Sequence, residues 1–428
     1  MNQPTPATAW RAVATGAATT AVYQLPLFLV GALAASMRQE LGFGSIGLGV
    51  AVGVHWGVFA LASPAAGTLA DAMGAPRALR AAALTAGIAA AVIGVIARSW
   101  IGLVAALIVV GLASALGQPA ANRLLSDDVP PARLGLAFGL KQSAPPLASM
   151  LAGLSVPVAT ASLGWRGAFV ISAVLAVVLS ATIRGASQGR SLAGVVTDRH
   201  RRNRPSRPRV RPDRRGPTSR TAVSTAPFRL ERRGTLVVLG IGFATAFATS
   251  TSLLAFLVDS SVAFGMTDST AGTVLAVASV AAIATRLSAG RLADTRAFDP
   301  LIASAVLLLL GASGVSVLAL AAVSTDGVGG IRTATLILGL GATLGLAGTW
   351  GFPGLFWFAV VRAYPNAPGR VTGVLAPAMI GGTVGPVVFG WIVAGPGYSL
   401  AWGVGAIASL LAALAMVLGS RRLPATRR

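Results

Sequence analysis

The chain has 428 residues, 54% hydrophobic and 11% charged, with only 12 acidic side chains and a mean hydropathy of +0.76. A soluble globule of this length needs far more surface charge, so the composition places the chain in a bilayer. The absence of cysteine excludes disulfides, thiolate catalysis and cysteine-bound metal, and His55 and His200, the only histidines, are too few for a histidine-rich metal site. The formal charge of +22 is not spread over a nucleic-acid-binding face: 15 arginines against Asp198, Asp213 and Glu231 put +12 of it between Arg184 and Arg233.

Apolar runs of roughly 20 to 28 residues, long enough to cross about 30 Å of hydrocarbon, lie near 12–36, 45–70, 78–97, 101–124, 136–161 and 166–184. Six more follow near 234–258, 269–290, 300–323, 332–361, 370–394 and 399–419. The first run is too long for a signal-peptide core and shows no convincing cleavage site, so it reads as a retained span. Fifty-two glycines and abundant alanine fit helices that approach closely in lipid. Spanning helices satisfy their own backbone groups, and the expected fold is an all-α membrane protein of twelve helices in two six-helix bundles. The bundles are assigned to 1–184 and 234–420, with a basic tail over 421–428. Between the bundles, 185–233 is rich in Arg, Pro, Ser and Thr and is expected to be disordered, its arginines lying against anionic headgroups.

With the N-terminus inside, Arg77, Arg80, Arg133, the 185–233 linker, Arg291, Arg296, Arg362, Arg370 and the tail arginines all face the cytoplasm. The opposite side keeps Arg38, Arg98, Arg166 and Arg332, so both termini are expected to be cytoplasmic. The second span ends in "GTLADAMGAPR" and the eighth in "GRLADTR". Gly67, Leu69 and Asp71 recur as Gly290, Leu292 and Asp294 at one offset of 223 residues, which makes the chain a duplicated six-helix unit. Parallel repeats of this kind usually hold a substrate site at their interface.

Gly67, Leu69, Ala70, Asp71, Gly74 and Arg77, with a degraded copy at Gly290, Leu292, Ala293, Asp294 and Arg296, resemble the signature that follows the second helix in the major facilitator superfamily. The resemblance covers all twelve spans and implies a secondary transporter of the cytoplasmic membrane. On physical grounds Asp71 is placed to accept from Arg77 and from backbone donors near Gly369 to Thr372, a clasp that would hold the cytoplasmic side shut. The alternative is a charge cluster that only sets topology.

Charges within spans are candidate functional sites, and here they are positive. Lys141, the only lysine, lies in the fifth span and Arg286 in the eighth, with no Asp or Glu near the middle of any span. A cavity lined by two cations is costly unless an anion completes it, and an anionic substrate is the simplest partner. Arg286, four residues before Gly290, resembles the eighth-helix arginine of monocarboxylate and oxalate/formate carriers, where an arginine binds the substrate carboxylate. Those monocarboxylate carriers carry an Asp one turn earlier, whereas this chain has Ala282. The stretch from Gly117 to Ser143 also resembles cyanate/nitrate-type and other prokaryotic organic-anion members. Against this, both cations lie within about 6 to 10 Å of the boundary and long basic side chains can snorkel to headgroups.

Tyr23, Gln24, Gln118, Asn122, Gln142 and the run Thr249 to Ser252 are candidates to complete the cavity, although such residues more often bond helix to helix. His55 is the candidate for a coupling proton, with an ordinary interhelical role as the alternative. Trp350, Phe352, Phe356 and Trp357 are candidates to line a cavity, with a packing or lipid-facing role as the default, and "GGTVGPVVFG" from Gly381 reads as a close-packing helix. The expected function is transport of a small organic anion by alternating access, through exchange or facilitated diffusion. The chain is expected to act as a monomer, without cofactor, metal, nucleic acid or enzymatic activity. Proton-coupled drug or metabolite efflux is one alternative, and a non-transporting membrane sensor or scaffold another.

Overall fold

The structure is a computed structural model that describes residues 6–130, 133–183, 233–295, 298–324, 330–364 and 368–423. In the first half α1 (Pro6–Ala32) runs into the short α2 (Ala34–Leu41), followed by α3 (Ser45–Met73), α4 (Ala75–Ala91) and α5 (Trp100–Asp128). The fifth span is broken into α6 (Leu134–Gln142) and α7 (Ala144–Val158), and α8 (Gly164–Thr182) closes the half. The second half holds α9 (Arg233–Ala263), α10 (Asp268–Thr295), α11 (Pro300–Ser324) and α12 (Gly330–Ala363). Its last two spans are α13 (Pro368–Leu375) with α14 (Gly381–Ala394), joined by a 3-10 turn over Ala376–Ile380, and α15 (Tyr398–Arg422).

Among the described residues eleven helical stretches are long and apolar enough to span a membrane, but one of them, Leu136–Thr182, has 47 residues. Drawn straight it would reach about 70 Å, more than twice the hydrocarbon core. It turns back at Gly164, whose φ of 62° is a left-handed conformation that glycine adopts without strain. Beyond that turn Arg166 lies beside Gly94, Ala176 beside Gly87, and the Arg80 guanidinium donates to the carbonyls of Ser180 and Ile183. The chain therefore crosses twelve times, as the sequence predicts. The motif glycine Gly74 is another place where conformation decides the residue, since the chain turns from α3 into α4 there with φ of 80°.

The repeat is visible in the helices themselves, because α3 begins at Ser45 and α10 at Asp268, the same offset that relates Gly67 to Gly290. At the centre of the molecule Gly31 of α1 lies against the backbone of Leu254 and Ala255 in α9, close to its own repeat-equivalent position. Side chains such as Val170, Val174, Val177 and Val178 of α8 are exposed and form part of the lipid-facing surface. The predicted linker lies outside the described residues except for Arg233, as do His200, Arg296 and the tail beyond Leu423.

Candidate functional site

The break in the fifth span originates in "KQSAPP". Pro145 and Pro146 have no N–H, so the carbonyls of Lys141 and Gln142, four residues earlier, lose their helical partners. The helix stops at Gln142 and restarts at Ala144, which leaves the Gln142 carbonyl available to another helix. Lys141 is fully buried, and its ammonium donates to three amide oxygens: Gln118 Oε1, Asn122 Oδ1 at 3.1 Å and Gln142 Oε1 at 3.4 Å. Gln118 and Asn122 reach it together because i and i+4 lie on one face of α5. The Tyr23 hydroxyl, also fully buried, donates to Gln118 Oε1 at 3.1 Å and adds α1 to the network.

From the other half, the Arg286 guanidinium donates to the freed Gln142 carbonyl and to the Trp350 carbonyl of α12. It also lies over the Trp350 ring, 5.4 Å from the centroid. One residue before Trp350, a second proline effect appears. Pro353 leaves the Thr349 carbonyl without a helical donor, and the Ser250 hydroxyl supplies one at 2.8 Å. Lys141 and Arg286 thus meet at Gln142, across the boundary between the halves. Their hydrogen bonds go to neutral carbonyl oxygens, so the two positive charges are solvated but not neutralised. Among the described residues neither makes an ion pair with a carboxylate.

Two faces of the molecule are distinguished here by the motif loops, and the two faces differ in packing. Toward the far face, Trp56, Phe247, Trp350 and Phe28 form an aromatic layer of edge-on and tilted pairs with centroids 5.1 to 6.4 Å apart. The void it leaves, bounded also by Thr251 and Leu254, is about 10 Å³, room for roughly one water. Beyond it, Arg38 of α2 pairs with Asp259 of α9 at 2.6 Å, and the Tyr398 hydroxyl donates to the same carboxylate oxygen. Asp259 is buried, so this ion pair locks the two halves together at the far face. Toward the motif face, among the described residues no atom beyond the local helix turn lies within 4 Å of a Cβ placed on Gly67, Gly139 or Gly290, and a crevice of about 360 Å³ opens between α1, α7 and α10.

The motif residues occupy the end of α3 as anticipated, but with a different partner. Asp71 is exposed and accepts from Arg123 of α5 at 2.7 Å, within its own half, rather than from Arg77, which is exposed. The expected clasp toward 369–372 involves side chains at 370 and 372 that lie outside the described residues. Leu69 is exposed, and of the second copy Gly290 ends in open space while the side chain of Asp294 and all of Arg296 lie outside the described residues. His55 is fully buried, edge-on to Trp56 at 5.4 Å, and neither ring nitrogen makes a well-formed hydrogen bond, the Leu107 backbone being the polar group within reach. Gln24 is buried with its Oε1 unbonded among the described residues.

Sequence reasoning placed Lys141, Arg286, Gln142, Asn122, Gln24 and Tyr23 in one candidate site, and the structure brings all of these but Gln24 into one network. It did not identify Gln118 as the shared acceptor, although its i,i+4 spacing from Asn122 was legible. It gave Trp350 packing as the default role over cavity lining, and the Trp350 carbonyl and ring both meet Arg286. The Arg38 and Asp259 pair was also missed; opposite charges at nearly repeat-equivalent ends of the first and seventh spans were the available signal.

The family profile described as Major Facilitator Superfamily matches residues 16–379. No curated protein sequence matches the chain. Among solved structures, the chain is similar to a bacterial homolog of the human lysosomal transporter Spinster in an inward-facing and occupied conformation. That similarity has a TM-score of 0.63 at 15% identity, over 97% of this chain and 96% of the other. A D-xylose-proton symporter gives a TM-score of 0.67 at 14% identity, over 94% of this chain and 96% of the symporter. At these identities the likeness concerns the fold.

Proposed function

Because the chain belongs to the Major Facilitator Superfamily and is therefore a membrane transporter, we propose that it moves a small organic anion by alternating access. The observation that carries this reading is the enclosed pair of cations, Lys141 and Arg286, meeting at Gln142 between the halves with no carboxylate partner among the described residues. An uncompensated buried charge is costly, and an anion entering there would offset it. Arg286 suits a carboxylate because its planar fork donates at two points, and the backbone carbonyls it now binds are neutral acceptors that an anion would outcompete. The tight far face and looser motif face correspond to one of the two states such a cycle needs. The arginine asymmetry supports assigning the motif face to the cytoplasm of a plasma membrane.

The test is counterflow and uptake in liposomes with carboxylates, inorganic anions and cationic dyes. Carboxylate uptake is expected in the wild type, with weak drive from an imposed proton gradient, since His55 is enclosed apart from the cation network. Arg286→Gln should reduce uptake by the equivalent of about 2–5 kcal/mol, roughly 30-fold or more, while the protein remains monodisperse. Arg286→Lys should recover little, because an ammonium lacks the fork. Full carboxylate uptake by Arg286→Gln would overturn the assignment.

A further inference from the structure

The crevice of about 360 Å³ between α1, α7 and α10 is not accounted for by a small anion. Its walls include Trp10, Val13, Ala17, Leu147, Ile283 and Leu287, and Ser143 is its one hydroxyl-bearing residue. The volume is within the range of ligand pockets, about 300–1,000 Å³, and the lining offers almost nothing for water to bond. The crevice also adjoins the cation network. Ile283 stands one turn before Arg286 on α10, and Ala144 in its wall follows Lys141 by three residues. Ile283 and Arg286, at i,i+3, share a face of α10, and Ala144 opens α7 just past the break that follows Lys141, so the apolar space runs up to the segments that carry the two charges. Ser143, at the break in the fifth span, lies both in the wall and beside Gln142, where the networks of the two halves meet.

Resting on the anion reading above, we propose that the substrate is a single-chain amphiphilic anion, its acidic head at Lys141 and Arg286 and its alkyl tail in the crevice between α1, α7 and α10. The charge pair selects the head, and the lining selects the tail. A fully hydrophilic anion would fill only the polar end. A lipid of the surrounding bilayer whose tail merely intrudes from the side would have no reason to depend on Arg286.

The test uses full-length protein in nanodiscs of zwitterionic lipid, with alkylsulfonates of two to ten carbons as probes; their permanent charge prevents them from crossing lipid as neutral acids. Binding is measured by titration calorimetry against discs holding Arg286→Gln, which corrects for partition into lipid. Affinity is expected to rise by about two- to fourfold per added methylene until the crevice is filled. Ile283→Trp, which fills the crevice, should lower the ratio of decanesulfonate to ethanesulfonate affinity by about tenfold or more. Ala17→Phe, acting from α1, should do the same and serves if the first variant does not fold. If affinity is independent of chain length, or if the ratio survives both substitutions, the crevice assignment is overturned while the anion reading stands. If alcohols or trimethylammonium compounds of equal length bind as tightly, the anion reading fails as well.

Discussion

Two seams join the halves of this molecule, occupying equivalent places in the two repeats. Along α3 and α14, Ser45 lies against Gly390, Gly49 against Pro386 and Gly53 against Thr383, backbone on backbone. Along α7 and α10, the far end is built the same way, with Gly153 against Gly272, but the contacts then become polar. Ser279 donates to Ser149 at 3.0 Å, and at the motif end Arg286 reaches the Gln142 carbonyl. In the first seam no charged group enters the contact, and its chemistry is shape alone. The second carries the cation network at its motif end. The difference teaches that duplication supplied a symmetric close-packed contact at the far face, and that the cation network lies on one seam only.

Breaking the shape-based seam should have the largest effect. A Cβ at Gly49 would overlap the Pro386 carbonyl, a backbone group that cannot rotate away. Gly49→Val is therefore expected to cost about 1–3 kcal/mol in the far-face-closed state alone and to shift the population toward far-face-open forms. The chain has no cysteine, so a single cysteine at Leu254, beside the small central void, reports directly. Its labelling by an impermeant maleimide from the far side should rise by about tenfold. Unchanged labelling would show that the glycine seam is not part of the gate.

A smaller effect is expected from the ion pair beyond both seams. Asp259→Asn keeps the shape and the Tyr398 contact but leaves the Arg38 guanidinium without its carboxylate. The loss, about 1–3 kcal/mol, falls on the closed state, so Leu254 labelling should rise roughly fivefold, and Arg38→Gln in the same background should add little because the interaction is already gone. Additive effects of the two substitutions would mean that the residues act separately.

The smallest effect serves as a control, because it lies within one half. Glu40 of α2 accepts from Arg166 at 2.6 Å and from the Trp165 indole at 2.8 Å, both on α8. The Arg166 hydrogen bonds first, and then that of Trp165, hold its carboxyl below the ordinary carboxylate range. A carboxylate with a lowered folded-state pKa contributes stability that is complete above its unfolded-state value, about 4.3, and is lost as pH falls through the lower folded-state value. Glu40→Gln should therefore lower the apparent Tm at pH 7, only slightly because the pair is exposed and screened, and the difference should shrink as pH falls below about 4. Leu254 labelling should not move at any pH. If it does, closure at the far face depends on packing inside the first half as well as on the seams.

The sequence by itself determined the membrane setting, twelve crossings, the duplication and the sign of the charge within the spans. These are local or periodic properties: an apolar run of sufficient length must be a self-satisfied helix in lipid, and Gly67, Leu69 and Asp71 recur at a constant offset. The residue types at the site were legible for the same reason, since charge inside a span is rare enough that Lys141 and Arg286 stand out. Partnership was not legible. Whether Asp71 meets Arg77 or Arg123, and whether Asp259 is an isolated end charge or the partner of Arg38, depends on which helix ends lie side by side. The meeting of Lys141 and Arg286 at Gln142 depends on a carbonyl that Pro146 leaves unbonded and on the register of α7 against α10. Tertiary structure alone decided these matters, because hydrogen bonds and ion pairs act over about 3 Å and that proximity is set by packing between spans remote in sequence.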